Sequence, residues 1–338
     1  MLYFAHHFCL SLKISNTLTL IITCKTQKYK KYLLVLASFD KCYNTKSMEN
    51  NFDISIITPL YKGKKYIDNL LKQAQISLDY SIKKGLNLKI EYIFINDFPE
   101  EIINIDEFLN YENDNLKIHY LQNEVNKGIQ FTRKKGILSS NGKYIIMLDQ
   151  DDSIYKKTFY SQFKKIKDKD AIIGNAIDFK KHISYPMYLT KFNMRHIKHL
   201  SHYTRSGNKI VSPGQCLIKK SSIPEYWLNN SLTNNGSDDY MLWLLMLSNN
   251  KKFETNITII YRHNNTGANF SSNVLKMIES SYEMIEKLYK CNDFNKKYVD
   301  LIKNANDYHY EKITKKNKVK TFFKYFKYNM WVLLDTLF

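Results

Sequence analysis

Cysteine is scarce in this 338-residue sequence, which contains only five: Cys9, Cys24, Cys42, Cys216 and Cys291. The number is odd, and no pair shows a Cys-x-x-Cys or other metal-binding spacing. This usage argues against a disulfide framework and favours free thiols in a reducing compartment.

Long hydrophobic runs are also absent. Two short runs near the N-terminus, "TLTLIITC" (17–24) and "KYLLVLASF" (31–39), fall well short of the roughly 20 apolar residues that cross a membrane. A signal peptide stays possible, although lysine flanks the first run on both sides and no clear small-residue cleavage site follows. Because regular patterning begins only after Met48, we interpret residues 1–47 as a non-native or disordered extension and Met48 as the true start.

Acidic residues are in deficit, 32 against 51 lysines and arginines, which gives a net charge of +19. Such an excess of positive charge suggests an anionic partner. Nucleic acid, an anionic membrane surface and phosphorylated substrates all meet that condition. The length suits one large domain with an extension.

Periodicity beyond residue 53 predicts alternating strands and helices. Four apolar runs have strand character: 53–61, 89–97, 116–122 and 143–152. Between them, segment 64–85 has apolar residues at helical spacing, and 128–142 contains a short helix that ends at Asn-Gly. The order predicts an α/β fold, with a mostly parallel twisted sheet flanked by helices over residues 48–270. A helical C-terminal extension is expected over residues 271–338.

Acidic residues gather where the second and fourth predicted strands end. Asp97 closes "KIEYIFIND", and Asp149, Asp151 and Asp152 close "KYIIMLDQDD". Open α/β sheets bind ligands beyond the carboxyl ends of their strands, so these acids are expected to lie in a site. Carboxylates this close repel one another unless a cation lies among them. The residues leave two alternatives open: a solvated turn with an acidic helix cap, or a divalent-cation site.

Four sequence segments, taken in their order along the chain, indicate a known family. They are "ISIITPLYKGKKYI" (54–67), "IFINDFPEE" (93–101), "NKGIQFTRKKGILSSNGKYIIMLDQDD" (126–152) and "GSDDYMLWLLM" (236–246). Over about residues 53–265 this set resembles the family 2 glycosyltransferases, which have the GT-A fold. Asn96 stands where that family commonly has aspartate, and Phe98-Pro99 replace Gly-Ser, so the contacts to a nucleobase are expected to differ. No Gln-x-x-Arg-Trp follows the last segment, which favours a non-processive bacterial type.

The resemblance implies a metal-dependent, inverting glycosyltransferase of hexosyltransferase type. Its donor would be a nucleotide-diphosphate sugar, and its acceptor a hydroxyl of a glycan or of a lipid-linked molecule. Surface polysaccharide biosynthesis (capsule, lipopolysaccharide or O-antigen) at the inner face of the cell membrane is the expected setting, with no nucleic-acid partner. Two alternatives stay open: a nucleotidyltransferase that uses the same acids, and a basic nucleic-acid-binding protein.

The resemblance also implies roles for individual residues. The expected ligands of Mn²⁺ or Mg²⁺ are Asp151, Asp149 and His263. The expected nucleotide-sugar-binding residues are Pro59, Tyr61, Asp97, Arg133, Asp149 and Asp152. Asp239 is the expected general base, with Asp238 as the alternative, and the helix that follows would lower the pKa of Asp239. The competing interpretations are a solvated surface charge for Arg133, and merely hydrogen-bonded side chains for Asp97 and His263.

The C-terminal tail is basic and apolar at once. Residues 311–328 contain seven lysines and one glutamate. On a helix from residue 319, one side collects Val319, Phe322, Phe323, Phe326, Met330, Leu333, Leu334 and Leu337. Lys320, Lys324 and Lys327 flank that side, and Trp331 lies at its edge. Such a helix suits an anionic membrane surface; packing on the domain or on a second copy is the alternative.

Overall fold

The computed structural model describes residues 51–180, 183–265, 273–315 and 317–337. Residues 1–47 and Met48 lie outside the described residues, so the interpretation of that extension stays a prediction. The domain boundary at residue 270 also stays a prediction.

Nine strands of the described residues form one sheet. They are β1 (Phe52–Leu60), β2 (Ile90–Asn96), β3 (Leu116–Gln122), β4 (Gly142–Met147), β5 (Ser153–Ile154), β6 (Ala171–Lys180), β7 (Ile183–Pro186), β8 (Cys216–Lys219) and β9 (Phe253–Asn265). Their order is β3-β2-β1-β4-β8-β6-β9-β5, with β7 beside β6. The pairings among β1 to β4 are parallel, as is that of β6 with β9. The mostly parallel α/β sheet and its four predicted strands are confirmed.

Helices connect and cover these strands. The α-helices are α1 (Lys64–Lys83), α2 (Ile129–Ser139), α3 (Thr158–Ile166), α4 (Leu200–Ser206), α5 (Glu225–Asn229), α6 (Asp238–Ser248), α7 (Val274–Lys290), α8 (Lys296–Thr314), α9 (Lys318–Lys324) and α10 (Phe326–Leu337). Shorter 3₁₀ segments cover Ile105–Tyr111, Asn193–Lys198, Pro213–Gln215 and Lys220–Ser222. None of the helices in the described ranges is long and apolar enough to span a bilayer.

Both faces of the sheet are covered, as strands that are apolar throughout require. On β1, Ile54 and Ile56 belong to the core beneath α1, whereas Ile57 belongs to the opposite core, which α6 fills. α1 buries the residues that its helical spacing predicts, Ile67 and Leu71 among them. The alternation along β1 therefore divides one strand between two cores.

The carboxyl ends of β1, β2 and β4 meet at one edge of the sheet. The amide of Asp97 donates to the carbonyl of Leu60 at 2.8 Å, and the amide of Leu148 donates to the carbonyl of Ile57 at 3.0 Å. β5 pairs with β9, with Ser153 opposite Arg262. This pairing brings the end of β9 against the loop that follows β4.

The C-terminal tail differs from the single helix predicted from residue 319. It forms two helices, α9 and α10, which are separated at Tyr325. Tyr325 and Tyr328 are buried against Tyr308 of α8. The apolar pattern did not include these tyrosines, and their burial against α8 is a tertiary packing constraint that the spacing of the tail does not contain.

Gly142 begins β4 at a place where no side chain fits. A Cβ there would lie 2.6 Å from the backbone nitrogen of Ser55 and 2.9 Å from the carbonyl carbon of Ile54. Glu91 holds the same turn, because its Oε1 accepts the amides of Asn141 at 2.5 Å and of Gly142 at 3.1 Å. β4 approaches β1 this closely only because residue 142 is glycine.

We expect Gly142→Ala to lower the free energy of unfolding by about 1–3 kcal/mol, the usual cost of overpacking. Urea denaturation followed by circular dichroism measures this change. Lys143→Ala, at the exposed next position of β4, is the control and should alter stability by less than about 0.5 kcal/mol. If the urea midpoint of Gly142→Ala equals that of the parent, the close approach of β4 to β1 does not require glycine at position 142.

Candidate active site

The loop after β4, here called the acid loop (residues 149–152), is fastened to the end of β1. Gln150 Oε1 accepts the amide of Tyr61 at 2.9 Å, and Gln150 Nε2 donates to the carbonyl of Tyr61 at 3.1 Å. Gly63 permits this approach, because a Cβ there would lie 2.4 Å from Gln150 Oε1. The residue between the aspartates thus couples the acid loop to the turn after β1.

An aromatic pair lies on the same edge of the sheet. The rings of Tyr61 and Phe98 meet edge to face with centroids 5.1 Å apart, and Tyr61 is 47% exposed. The ammonium of Lys62 lies 4.9 Å from the centroid of Phe98. Pro59 lies within β1, opposite Ile95 of β2. An exposed ring beside a cation offers a stacking surface to a ligand that carries both a base and negative charge.

Arg133 joins two acidic segments that are far apart in the sequence. Its guanidinium donates to Asp149 at 2.5 Å and to Asp238 at 2.6 Å, and its side chain is only 4% exposed. Burial alone would lower the pKa of Arg133, but the charges of Asp149, Asp238 and Asp239 raise that pKa above its ordinary value. The interpretation of Arg133 as a solvated surface charge is therefore wrong. Its predicted contact with a diphosphate stays a prediction.

Asp151 is half-buried, and its carboxyl ionises at a higher pH than an exposed aspartate does. Burial, together with the negative charges of Asp152 and Asp149, raises the pKa of Asp151 to about 6. A cation beside this carboxyl would lower that pKa again and favour the ionised form. The crowding seen in the sequence thus contributes to the raised pKa of Asp151 in the folded chain.

Asp152 ties β9 to the acid loop. Its carboxylate accepts a hydrogen bond from the hydroxyl of Tyr261, and its Oδ1 accepts the amide of Asn264 at 2.8 Å. The Nδ1 of His263 lies 3.3 Å from the same Oδ1. Burial raises the pKa of Asp152. Burial would lower the pKa of His263, but its hydrogen bond with Asp152 raises it above the ordinary value.

The acid loop fits a metal that is shared with a substrate. Within the described ranges of the chain, no three His, Cys, Asp or Glu side chains are arranged to hold a metal ion. A hard divalent cation is, however, often bound by one or two carboxylates and completes its shell with phosphate oxygens and water. Asp151 supplies a carboxylate whose ionised form a cation would favour, and His263 lies near it. The predicted set of Asp151, Asp149 and His263 stays a prediction.

Asp97 lies at the end of β2 and orders the segment before α2. Its Oδ1 accepts the side-chain amide of Asn123 at 2.7 Å and the backbone amide of Lys127 at 2.8 Å. Its Oδ2 accepts the amide of Gly128 at 2.9 Å. These three bonds give Asp97 a turn-forming role, and its predicted contact with a nucleobase or ribose stays a prediction.

Asp239 lies buried at the start of α6. Its Oδ1 accepts the amide of Tyr240 at 2.7 Å, and its Oδ2 accepts the side-chain amide of Asn208 at 3.0 Å. Burial and the charge of Asp238 raise the pKa of Asp239 to about 7. The lowered pKa predicted from the helix N-terminus is wrong, because burial and the like charge outweigh the helix dipole.

The segment that leads into α6 is held from two sides. The carboxylate of Glu283 on α7 accepts the amides of Thr233 at 2.6 Å and of Asn234 at 2.8 Å. The side-chain oxygen of Asn235 accepts the amide of Ile129, the first residue of α2, at 3.1 Å. The acids of α6 are therefore positioned by both α7 and α2.

Sequence reasoning missed three residues that shape this region: Gln150, Asn208 and Tyr261. Tyr261 could have been found from the sequence, because it precedes His263 by two residues on a strand and so shares a face with it. The position of Gln150 between two aspartates was a weaker indication. Asn208 offered none, since its contact with Asp239 spans 31 residues of sequence.

Two solved structures have a fold similar to that of this chain. Staphylococcus aureus TarS 1–349, in complex with UDP-GlcNAc, has a TM-score of 0.56 at 14% identity, over 78% of this chain and 74% of that one. GalNAc-T7 with UDP, GalNAc and Mn²⁺ has a TM-score of 0.50 at 13% identity, over 82% of this chain and 55% of that one. At these identities the likeness concerns the fold. It confirms the predicted GT-A type of fold.

The chain belongs to glycosyl transferase family 2, whose model matches residues 55–227, just over half of the 338 residues. An uncharacterised glycosyltransferase of Methanocaldococcus jannaschii is 27% identical over 61% of this chain and 70% of its own length. A dolichyl-phosphate beta-glucosyltransferase of Dictyostelium discoideum is 26% identical over 38% of this chain, and the match spans only 39% of that enzyme. The predicted family and the predicted glycosyltransferase activity are confirmed.

We expect Arg133→Met to lower the free energy of unfolding by about 3–5 kcal/mol, because it leaves the buried Asp238 and the partly exposed Asp149 without their cation. The loss should shrink as the pH falls, because Asp239, whose pKa of about 7 the charge of Arg133 lowers, is protonated at low pH and no longer needs that cation. Chemical denaturation at several pH values measures both effects. Lys134→Met, at the next position of α2, is the control; an equal loss in both variants would contradict a specific role for Arg133.

Proposed function

We propose that this protein is a non-processive, inverting glycosyltransferase of hexosyltransferase type that moves a sugar from a nucleotide-diphosphate donor to a hydroxyl. One observation carries the proposal: Arg133 joins the acid loop, through Asp149, to the start of α6, through Asp238. Inverting transfer needs a group that handles the departing diphosphate and a base that faces the incoming hydroxyl. The guanidinium of Arg133 links the two segments that carry the residues we assign to these tasks, the acid loop with Asp151 and the start of α6 with Asp239.

The donor side is the edge formed by the turns after β1 and β2. Tyr61 would stack on the nucleobase, with Phe98 and Lys62 beside it, and Pro59 would set the course of the turn. Asp149 would face the ribose, and Asp152 the donor sugar or the metal. The hydrogen bonds between Gln150 and Tyr61 support this arrangement, because they hold the stacking ring and the acid loop in one geometry.

At the acid loop we assign a Mn²⁺ or Mg²⁺ ion to Asp151, with Asp149 and His263 as further ligands. A divalent cation bound there supplies the positive charge that stabilises a departing diphosphate. The side chains of the protein prepare the loop: Arg133 orients Asp149, and Asp152 keeps the ring of His263 in place. The Mn²⁺ in the GalNAc-T7 structure is consistent with this assignment.

Asp239 is the proposed general base, which takes the proton of the acceptor hydroxyl. A pKa of about 7 suits that task, because a base is most effective when its pKa lies near the working pH. The side chain of Asn208 holds its Oδ2 in position. Asp238, the alternative, is engaged by the guanidinium of Arg133 at 2.6 Å and is less suited to accept a proton.

The acceptor and the cellular setting are inferred from the relatives and from charge. The name of the Dictyostelium relative includes dolichyl phosphate, which supports a lipid-linked acceptor, and a glycan is the other acceptor class. Surface polysaccharide synthesis at the inner face of the cell membrane suits a chain with a net charge of +19. Family membership sets aside the nucleotidyltransferase and the nucleic-acid-binding protein.

We expect turnover to rise with pH and to level off above about pH 7, because Asp239 must be ionised to accept a proton and its pKa is about 7. Asp239→Asn should reduce turnover roughly 10²–10⁴-fold, keep donor affinity and lose this pH dependence. Diphosphate release from a panel of nucleotide sugars, measured across pH, provides the rates. A collapse of donor affinity in Asp239→Asn would make Asp239 a donor ligand instead of the base.

Asp151→Asn should abolish turnover and the increase in nucleotide affinity that Mn²⁺ causes, because the main carboxylate ligand is lost. The fold should be kept or slightly stabilised, since one of three mutually repelling acids becomes neutral. Titration calorimetry of UDP with and without Mn²⁺, together with thermal unfolding, measures both effects. Full turnover in the presence of EDTA, or unchanged Mn²⁺-dependent binding in the variant, contradicts the metal assignment.

A further inference from the structure

The two tail helices present apolar side chains to solvent. The exposed residues, here called the tail surface, are Val319, Phe322, Phe323, Phe326, Met330, Trp331, Leu333 and Leu334. Val319 is 67% exposed and Phe323 is 66% exposed. Large apolar side chains that cluster on one surface indicate a binding site, whereas single exposed ones need no explanation.

Packing on the domain does not account for the tail surface. The tail contacts α8 through a different set of side chains, Tyr325 and Tyr328, which are buried against Tyr308 and Ala305. His309 adds a hydrogen bond of 3.0 Å to the hydroxyl of Tyr328. The tyrosines therefore attach the tail to the domain, and the tail surface, apart from Trp331, which Arg205 of α4 contacts, remains available to a partner.

The charge of the tail indicates what that partner is. Lys318, Lys320, Lys324 and Lys327 are exposed along α9 and the start of α10. Residues 317–337 contain a single acidic residue, Asp335. An apolar surface flanked by lysines complements an anionic bilayer, whose headgroups attract the ammonium groups while its interior takes up the apolar side chains. A second copy of the chain fits less well, because a symmetric contact would bring the lysines of both copies together.

The tail surface is connected to the proposed base through α4. The guanidinium of Arg205 on α4 stacks on Trp331 of the tail, 4.1 Å from its ring centroid. Asn208, which holds Asp239, follows Arg205 by three residues. The Cα atoms of Arg205 and Asn208 are therefore at most about 11 Å apart. One short helix thus contacts the tail at Arg205 and leads directly to the residue that holds the base.

A second contact between α4 and the base region lies beside the first. The hydroxyl of Tyr240, the residue after Asp239, donates to the carbonyl of Tyr203 on α4 at 2.7 Å. Burial, and then the neighbouring Tyr328 of α10, raise the pKa of the Tyr240 phenol above its ordinary value. The start of α6, α4 and the tail therefore lie against one another.

We propose that the tail surface docks on an anionic lipid bilayer and that α4 holds the base side of the active site next to that bilayer. The acceptor hydroxyl would then belong to an amphiphile whose apolar part lies in the membrane. This last step rests on the proposed function, whereas the docking itself does not. The donor site, at the turns after β1 and β2, would take its nucleotide sugar from solution.

The test uses the full chain and vesicles of equal parts phosphatidylglycerol and phosphatidylcholine. We expect the chain to sediment with these vesicles, and Phe323→Gln/Leu333→Gln to reduce the partition coefficient about 10–100-fold. The control, Ile76→Gln/Leu138→Gln, removes two apolar side chains of similar exposure, 55% and 58%, from α1 and α2 and should bind like the parent. Added salt should weaken binding, since the lysine contribution is screened within about 8 Å at physiological ionic strength.

Hydrogen exchange tests whether α4 connects the tail surface to the base side of the active site. On vesicle binding, exchange of the peptide covering residues 200–210 should slow several-fold, while the peptide covering α1 should not change. Donor hydrolysis and circular dichroism of each variant, measured without vesicles, show whether it is folded, so that a failure of the proposed reaction is distinguished from a failure of docking.

Three results overturn the inference. The first is a parent chain that does not bind the vesicles, or a tail variant that binds as well as its parent. The second is a dimer, detected by light scattering, that the tail substitutions dissociate, because the occupant would then be a second copy. The third is docking without slower exchange over residues 200–210, which would separate the tail from the active site.

Discussion

A buried cation between two carboxylates is the interaction on which the active site depends. Arg133 is supplied by α2, Asp149 by the end of β4, and Asp238 by the start of α6. In a buried environment a charge of either sign is costly when it is alone, so the three groups are stable only together. The position of each element is therefore constrained by the other two. The Nε of Arg133 is also buried and makes no hydrogen bond among the described residues, so the two carboxylates satisfy the guanidinium only in part.

Much of the fold could be predicted because it follows from local periodicity. The apolar positions of α1 and the limits of β3 follow from spacing alone, since burial on one side leaves a regular trace in the sequence. The place of the candidate site follows from topology, because parallel strands bring their carboxyl ends to one edge. Asp97 and the acid loop were found in this way.

The remainder depends on contacts between distant residues, which leave no local trace. Arg133 and Lys134 are adjacent basic residues of one helix, yet only Arg133 is enclosed by acids. The pKa of Asp239 is raised, whereas the sequence predicted that it is lowered. A helix N-terminus can be recognised in the sequence, but the burial of Asp239, which is only 9% exposed, cannot. The burial of Tyr325 and Tyr328 in the tail has the same origin, since it depends on the partner residues of α8.

The attachment of the tail by Tyr325 and Tyr328 has a thermodynamic consequence. Many amphipathic segments are unfolded in solution and become helical only on a membrane, so part of their binding energy is lost in ordering the backbone. Here the helices α9 and α10 are already formed and are held on α8 before any partner arrives. The conformational entropy of this segment has therefore been lost during folding of the chain, and it is not lost again on association. A tail of only about 20 residues can in this way act as a rigid surface and not as a flexible one.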